Sequence, residues 1–261
     1  MNLIIGKKSN LTKSLVKHIS NCKVVSLEEL DYKNIANISK NQKINIIINQ
    51  FYPANKLSTL EKYEDFYNIS ILKISKFLDN VNFKKINKII YSSSSSVYGS
   101  IGNNHFNNNR DLYSSAKLAA ENLIVNFCQK KNIKYILARI FNMYGDDEDF
   151  SIISKILKSV KEKKPFFLYN NGTSIRDFIH VTDVSKIYKK LIDHNFSGIV
   201  DVGSGFGIKI IDLINSINKP SLKIKYVSSN FKEIGSSIAN REFIFNEIGY
   251  KKFITLEDFK N

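Results

Sequence analysis

The 261 residues carry 43% hydrophobic and 24% charged side chains, a balance ordinary for a soluble globular enzyme and enough to bury one or two cores. A formal charge of +15 invites a nucleic-acid reading, but the lysines are scattered singly or in pairs, and the longest cluster, Lys161-Glu162-Lys163-Lys164, is broken by an acid. A solvated basic surface that attracts a small anion is favoured over a polynucleotide site.

The chain opens on a strand-like Asn2-Leu3-Ile4-Ile5 without the pattern of a signal peptide. No apolar run approaches the roughly 20 residues of a membrane span, so a cytoplasmic protein and no membrane partner are expected. Leu11, Leu15, Val16 and Ile19 then share one helical face, and 23–25 and 44–48 read as further strands. A helix carrying Phe66, Ile69, Ile71, Leu72, Phe77 and Leu78 leads to a fourth strand at 86–91. Residues 103–109 read as a polar loop, 113–129 as a helix and 134–139 as a fifth strand. Near-continuous apolar strands separated by helices predict an α/β, doubly wound parallel sheet with its ligand site at the carboxyl ends of the strands.

After about residue 145 the pattern loosens. A helix at 150–160, a turn at Asn170-Asn171-Gly172, a strand at 199–202, a glycine-rich loop at 203–207 and two later amphipathic segments follow. The expected division is a sheet domain over 1–145 and a smaller lobe over 146–261, with some segments returning to the sheet. Cys22 and Cys128 lie far apart in segments that read as buried, so free thiols are expected. His18, His105, His180 and His194 lack metal-ligand spacing, and no metal site is expected.

The chemistry starts at Tyr113-Ser114-Ser115-Ala116-Lys117. An i, i+4 spacing puts phenol and ammonium on one helical face, where the cation would favour phenolate and make the tyrosine a usable acid or base. Alone, Y-x-x-x-K is a weak signal, because a lysine-rich helix yields it by chance. Upstream, Tyr91-Ser92-Ser93-Ser94-Ser95-Ser96-Val97-Tyr98-Gly99 follows the apolar Ile89-Ile90, so its hydroxyls sit at the carboxyl end of a central strand.

Together these elements resemble an extended short-chain dehydrogenase/reductase of the NAD-dependent epimerase/dehydratase group, which modifies nucleotide sugars. The likeness runs in order along nearly the whole chain. Asn68 matches the family's helix asparagine, 92–99 its S-S-x-x-V-Y-G, and Tyr113, Lys117 and Glu121 its Y-x-x-x-K-x-x-x-E. Arg139 to Gly145 is similar to R-x-x-N-x-Y-G, Arg176 to Asp183 to R-D-F-x-x-V-x-D, and Asp201-Val202-Gly203-Ser204-Gly205 to N-x-G-x-G. The resemblance implies a Rossmann-like dinucleotide domain and a substrate lobe. Tyr113 would be the acid/base, Lys117 would hold the nicotinamide ribose, and Ser94 would be the catalytic hydroxyl. Ser95 and Asn142 would contact substrate, and Arg176 would pair with its diphosphate or form a local ion pair with Asp177. Asp183 reads as a helix cap. Kinship also implies a homodimer.

The phosphate loop departs from the family's G-x-x-G-x-x-G, with Gly6, Ser9 and Thr12 at the three positions. An altered dinucleotide site is expected, built from Gly6, Ser9, Asn10 and Leu11 at a helix N-terminus, with Thr12 pushing that helix outward slightly. Glu28 is the candidate for the adenine ribose and would argue for NAD, whereas Ser26 with a nearby lysine would suit NADP; the choice stays open. Asn49 and Gln50 stand where the family usually has small apolar residues beside the cofactor.

Ser95 and Ser96 occupy the places of the Asp-Glu pair that sugar dehydratases carry, which disfavours dehydration. The resemblance then implies reduction of a nucleotide-linked 4-keto-6-deoxy sugar by NADH or NADPH. The alternatives are an epimerase of the same family and a non-catalytic binding module with a degraded loop.

Overall fold

The computed structural model describes residues 1–29, 43–100, 109–146, 148–217, 221–228 and 234–255. The polar loop expected at 103–109 lies outside the described residues except for Asn109. The chain forms two compact units, Met1–Arg139 with Ser185–Val200, and Ile140–Val184 with Asp201–Asn261.

In the first unit, β1 (Asn2–Ile5), β2 (Cys22–Val25), β3 (Ile44–Ile48), β4 (Ile86–Ser94), β5 (Lys134–Ile140) and β9 (Gly198–Val202) make a six-stranded sheet in the order β2-β1-β3-β4-β5-β9. The pairs β1–β2, β1–β3 and β3–β4 are parallel. Leu3, Ile4, Ile5, Ile46, Ile47, Ile48, Ile89 and Ile90 are fully buried, which is why these strands read as unbroken apolar runs: both faces are covered. The chain leaves β1 for β2 on one side and reaches β3 on the other, creating the topological switch point at which such sheets bind ligands. Register pairs Ile5 with Val25 and with Ile48, and Ile48 with Tyr91. Gly6, Ser26 and Asn49 therefore leave the sheet side by side, next to Ser92 on β4.

Helix α1 (Asn10–His18) packs Leu11 and Leu15 inward, but Val16, expected on that face, is 47% exposed. The helix predicted around Phe66 to Leu78 is three pieces: α2 (Tyr63–Tyr67), a π turn (Asn68–Leu72) and α3 (Lys73–Asn80). The π turn shifts the helical phase by about one residue, so Leu72, which the periodicity put inside, is 57% exposed. Helix α4 (Asn109–Lys131) buries Ala116, Ala120, Ile124 and Cys128 at strict i+4 spacing. Cys128 is a buried free thiol and Cys22 a half-buried one.

Lys88, on β4, is almost fully buried. Its ammonium donates to the carbonyls of Leu191 (2.8 Å), Ile192 (3.0 Å) and His194, closing the carboxyl end of α6 (Val181–Asp193).

In the second unit, β6 (Asn142–Tyr144) runs parallel to β8 (Ile175–His180), which pairs antiparallel with β10 (Gly207–Lys209). Helix α5 (Ile152–Lys161) is N-capped by Ser151, whose hydroxyl accepts from the Ser154 amide. The buried Asp177 carboxylate accepts from the amides of Ser204, Gly205 and Ala239 and from the Ser204 hydroxyl. The glycine-rich loop after β9 is thereby fixed by an acid from β8. Asp183 is no helix cap: it lies inside the first turn of α6 and accepts from the Tyr250 hydroxyl (2.6 Å) and the Ile254 amide (2.8 Å).

Candidate active site

Where β1 ends, Gly6 turns the chain at φ +129°, and a Cβ there would lie 2.8 Å from the Asn49 carbonyl carbon. Only glycine fits that approach. Ser9 precedes α1 in an extended conformation, yet its hydroxyl does not cap the helix. Instead Asn49 Nδ2 donates to Ser9 Oγ and Thr12 Oγ1, both at 2.9 Å, while Thr12 Oγ1 donates to the Gly6 carbonyl at 2.7 Å. The two residues that replace family glycines are thus tied together by the asparagine that replaces a small apolar residue. Thr12 is accommodated inward, 2% exposed, with its hydroxyl spent within the loop. Asn10 and Leu11 open α1, the first half-buried and the second buried.

Glu28 lies beyond β2, ion-paired with Lys73 and accepting from Gln50 Nε2 at 3.3 Å. The Lys73 ammonium holds its carboxyl down to about 2. Ser26 accepts from the Glu29 amide, and Glu29 pairs with Lys7 at 3.1 Å.

Where β4 ends, α4 delivers Tyr113 and Lys117. The Tyr113 hydroxyl shares a hydrogen bond with Ser94, whose oxygen also accepts from the Ser96 amide at 3.2 Å. Lys117 is 4% exposed, and its Nζ donates to the Ser92 carbonyl at 2.7 Å. Burial pushes the Tyr113 phenol up to about 12, against the lowering effect of the Ser94 bond. Burial pulls Lys117 down to about 7, against the pull of Glu121. This corrects the direction expected from spacing. The helical turn does bring the two groups together, with Lys117 Nζ 5.8 Å from the Tyr113 ring centroid, but desolvation of the charged forms sets the direction of both shifts.

Glu121 itself is buried and pairs with Arg139 through two bonds, Nε to Oε1 at 3.0 Å and Nη2 to Oε2 at 2.7 Å. The motif carrying Tyr113 is locked by this fork to the one that begins at Arg139. Ser95 is half-buried. The hydroxyls of Tyr91, Ser93 and Ser96 are buried and have no hydrogen-bond partner among the described residues. Asn68 is exposed at the start of the π turn.

Asn142 and Arg176 belong to the second unit. Asn142 Nδ2 donates to the Asp177 carbonyl at 2.8 Å, and Arg176 Nη1 donates to the carbonyls of Ile175 and Ile234, each at 2.8 Å. The Asp177 carboxylate is spent on the loop at Ser204, as described above. Sequence reasoning missed Phe51 and Tyr91, whose rings lie over the Lys117 ammonium. Two aromatics in succession, Phe51-Tyr52, directly after a strand were the available signal.

Among the described residues, no group of three or more His, Cys, Asp or Glu could hold a metal ion, and no helix is long and apolar enough to cross a membrane.

The pattern of the NAD dependent epimerase/dehydratase family matches residues 4–203. The chain belongs to this family. Among curated members of similar sequence, Protein CapI of Staphylococcus aureus is 22% identical over 285 residues, covering 97% of this chain and 84% of its own length. Among epimerase/dehydratase-like solved structures, UDP-glucuronic acid 4-epimerase from Bacillus cereus, in complex with UDP-glucuronic acid and NAD, superposes at TM-score 0.80 with 18% identity, covering 100% of this chain and 96% of that one. RMD from Pseudomonas aeruginosa, complexed with NADPH, superposes at 0.78 with 19% identity over 99% and 96%. At these identities the superpositions establish a shared fold.

Proposed function

We propose that the chain is an NAD(P)H-dependent oxidoreductase that reduces the C4 ketone of a nucleotide-diphosphate 4-keto-6-deoxy sugar, with Tyr113 as general acid. One observation carries this reading: Tyr113, Ser94 and Lys117 meet at the carboxyl edge of the sheet, with burial keeping the phenol protonated. A protonated phenol is the form in which ketone reduction begins.

The residues present fit a dinucleotide at its diphosphate end. Gly6 gives the close turn, Ser9 leads into α1, and the first-turn backbone of Asn10 and Leu11 faces the anion that a helix N-terminus favours. Asn49 would line that stretch, Glu28 would meet the adenine ribose in competition with Lys73, and Asn68 is carried as the outermost contact. A bound reduced nicotinamide supplies the hydride. Ser94 orients the ketone oxygen, Tyr113 Oη gives it a proton as the C–O charge develops, and solvent restores the phenol's proton. Lys117 donates to ribose hydroxyls and steadies the phenolate while it lasts. Asn142, Ser95 and Arg176 are assigned to the sugar and its diphosphate.

An epimerase reading has its own support in neighbours such as the Bacillus cereus 4-epimerase. There the tyrosine must first act as a base, which requires the oxidised, cationic nicotinamide to lower its pKa. Incubation with nucleotide-diphosphate 4-keto-6-deoxyhexoses and NADH or NADPH separates the two. Stoichiometric loss of the reduced nicotinamide's absorbance with formation of a 4-hydroxy sugar is expected. Interconversion of the C4 isomers of a nucleotide-diphosphate 4-hydroxy sugar with the oxidised dinucleotide, without net cofactor consumption, would establish the epimerase, and failure to bind any of these dinucleotides at millimolar concentration would overturn both.

A further inference from the structure

Lys117 is enclosed by rings where an ammonium ordinarily finds oxygens. Of its three N–H donors, one reaches the Ser92 carbonyl, the sole hydrogen-bond acceptor Nζ has among the described residues. The other directions meet aromatic faces, with ring centroids of Phe51 at 4.0 Å, Tyr91 at 4.8 Å and Tyr113 at 5.8 Å. Tyr91 belongs to the sheet and Tyr113 to α4, so both are fixed by the framework. Phe51 comes from the segment that leaves β3.

Phe51 is held there. It meets Tyr113 edge-on at 5.2 Å and 80°, and Phe66 at 6.2 Å and 86°. Its neighbour Tyr52 packs on Phe66 at 5.5 Å, and the pair join Leu60 around a small buried cluster of Leu57, Phe66 and Ala116. The cluster includes Ala116 of α4 and is separate from the main core of the unit, so the ring is carried by a satellite patch.

We propose that Phe51 is a plug on Lys117: its ring occupies the side of the ammonium that a ribose must reach, and it has to move away before hydroxyl oxygens can take up the unspent donors. This rests on the nicotinamide reading above. A ring holds a desolvated cation less firmly than two charge-assisted hydrogen bonds do, so a diol can displace it, and the chain's dinucleotide affinity is lowered by the fraction of molecules in which the ring is in place. The same ring keeps water from Nζ, in keeping with the fall of the Lys117 pKa to about 7.

The test compares wild type, Phe51→Ala and Phe51→Leu by two measurements. The first is amine labelling of ligand-free protein across a pH range, mapped to Lys117 by peptide mass, which gives a titration midpoint and a limiting rate. The second is titration with NADH and NADPH by fluorescence. Phe51→Ala is expected to raise the Lys117 midpoint by at least about one pH unit and to increase the limiting rate about tenfold, as water gains the amine. It should tighten dinucleotide binding about tenfold if the ring covers about nine molecules in ten. Phe51→Leu, which keeps bulk and foldability but loses the ring face, should tighten binding by less than Phe51→Ala.

Weaker binding by Phe51→Ala than by wild type would overturn the proposal, since the ring would then be a wall of the site. A midpoint within about 0.3 pH unit and an affinity within about twofold of wild type would overturn it as well. Tighter binding by Phe51→Ala than by a wild type that itself binds, together with a raised Lys117 midpoint, is its strongest support. If no chain binds either dinucleotide, the function proposed above fails, and the labelling midpoint alone decides whether the ring covers the amine.

Discussion

The two ends of the sheet's carboxyl edge answer the same problem with opposite chemistry. Beside β1, polar side chains close on one another: Asn49 bridges Ser9 and Thr12, and Thr12 reaches the Gly6 carbonyl. Beside β4, an ammonium is closed in by Phe51, Tyr91 and Tyr113, while three buried hydroxyls have no partner among the described residues. At the first end the loop's hydroxyls and amide satisfy one another, and its charges stay exposed in ion pairs such as Lys7–Glu29. The second holds a desolvated cation and unused polar groups, a costly arrangement in a protein interior unless something else is meant to meet them. The loop after β1 is thus held by local hydrogen bonds where the family has two further glycines, whereas the end of β4 keeps its buried cation.

That contrast is broken or sharpened most forcefully at the phenol. Tyr113→Phe removes one oxygen and leaves the ring packed against Phe51. Turnover is expected to fall about 100- to 10,000-fold, the usual worth of a positioned acid, with dinucleotide affinity changed less than about twofold. Steady-state rates beside fluorescence titration measure both, and unchanged turnover would remove the chemical reason for the whole arrangement.

A smaller effect is expected from Lys117→Met as a function of pH. The lysine titrates near 7 in the folded chain and about 10.4 in the unfolded one, so between these values the unfolded state binds more protons. Stability therefore rises with pH across that window, by at most about 1.4 kcal/mol per unit from this group, and the full penalty of the buried charge is present below 7. Urea midpoints of wild type should climb between pH 7 and 9 relative to those of Lys117→Met. Parallel profiles would mean that water reaches Nζ and that the aromatic enclosure is open.

Much of this edge was legible before any coordinates. Strands β1, β3 and β4 announce themselves as isoleucine runs because both faces are buried, and the i, i+4 pair on α4 follows from helix pitch alone. What spacing cannot carry is solvation. It brings Tyr113 and Lys117 together but is silent on how dry the place is, and dryness reverses the expected direction of the phenol's shift. Periodicity likewise averages over the π turn at Asn68–Leu72, where the extra residue displaces Leu72 to the surface. Phe51 was hidden for a different reason: an aromatic after a strand reads as core, and only the register of β3 against β4 brings it over an ammonium from α4. Asp183 had the residue type and place of a helix cap, yet its partners Tyr250 and Ile254 come from the far end of the chain, beyond the reach of any local rule.

The mildest test lies at the mended loop. Asn49→Ala takes one donor group from two hydroxyls, but Thr12 retains its bond to the Gly6 carbonyl and Ser9 becomes free to cap α1. Because one acceptor keeps a partner and the other can find a new one, the loss should be that of a single ordinary hydrogen bond, about 1 kcal/mol, with the urea m-value unchanged. Dinucleotide affinity should stay within about threefold of wild type, against the tenfold gain expected at Phe51. A loss of about 3 kcal/mol or more would mean that the asparagine alone holds the β1 end in shape, a scale that belongs to a buried polar group stranded without any partner. The two ends of the edge would then be alike in depending on one side chain from the exit of β3, Asn49 at one and Phe51 at the other.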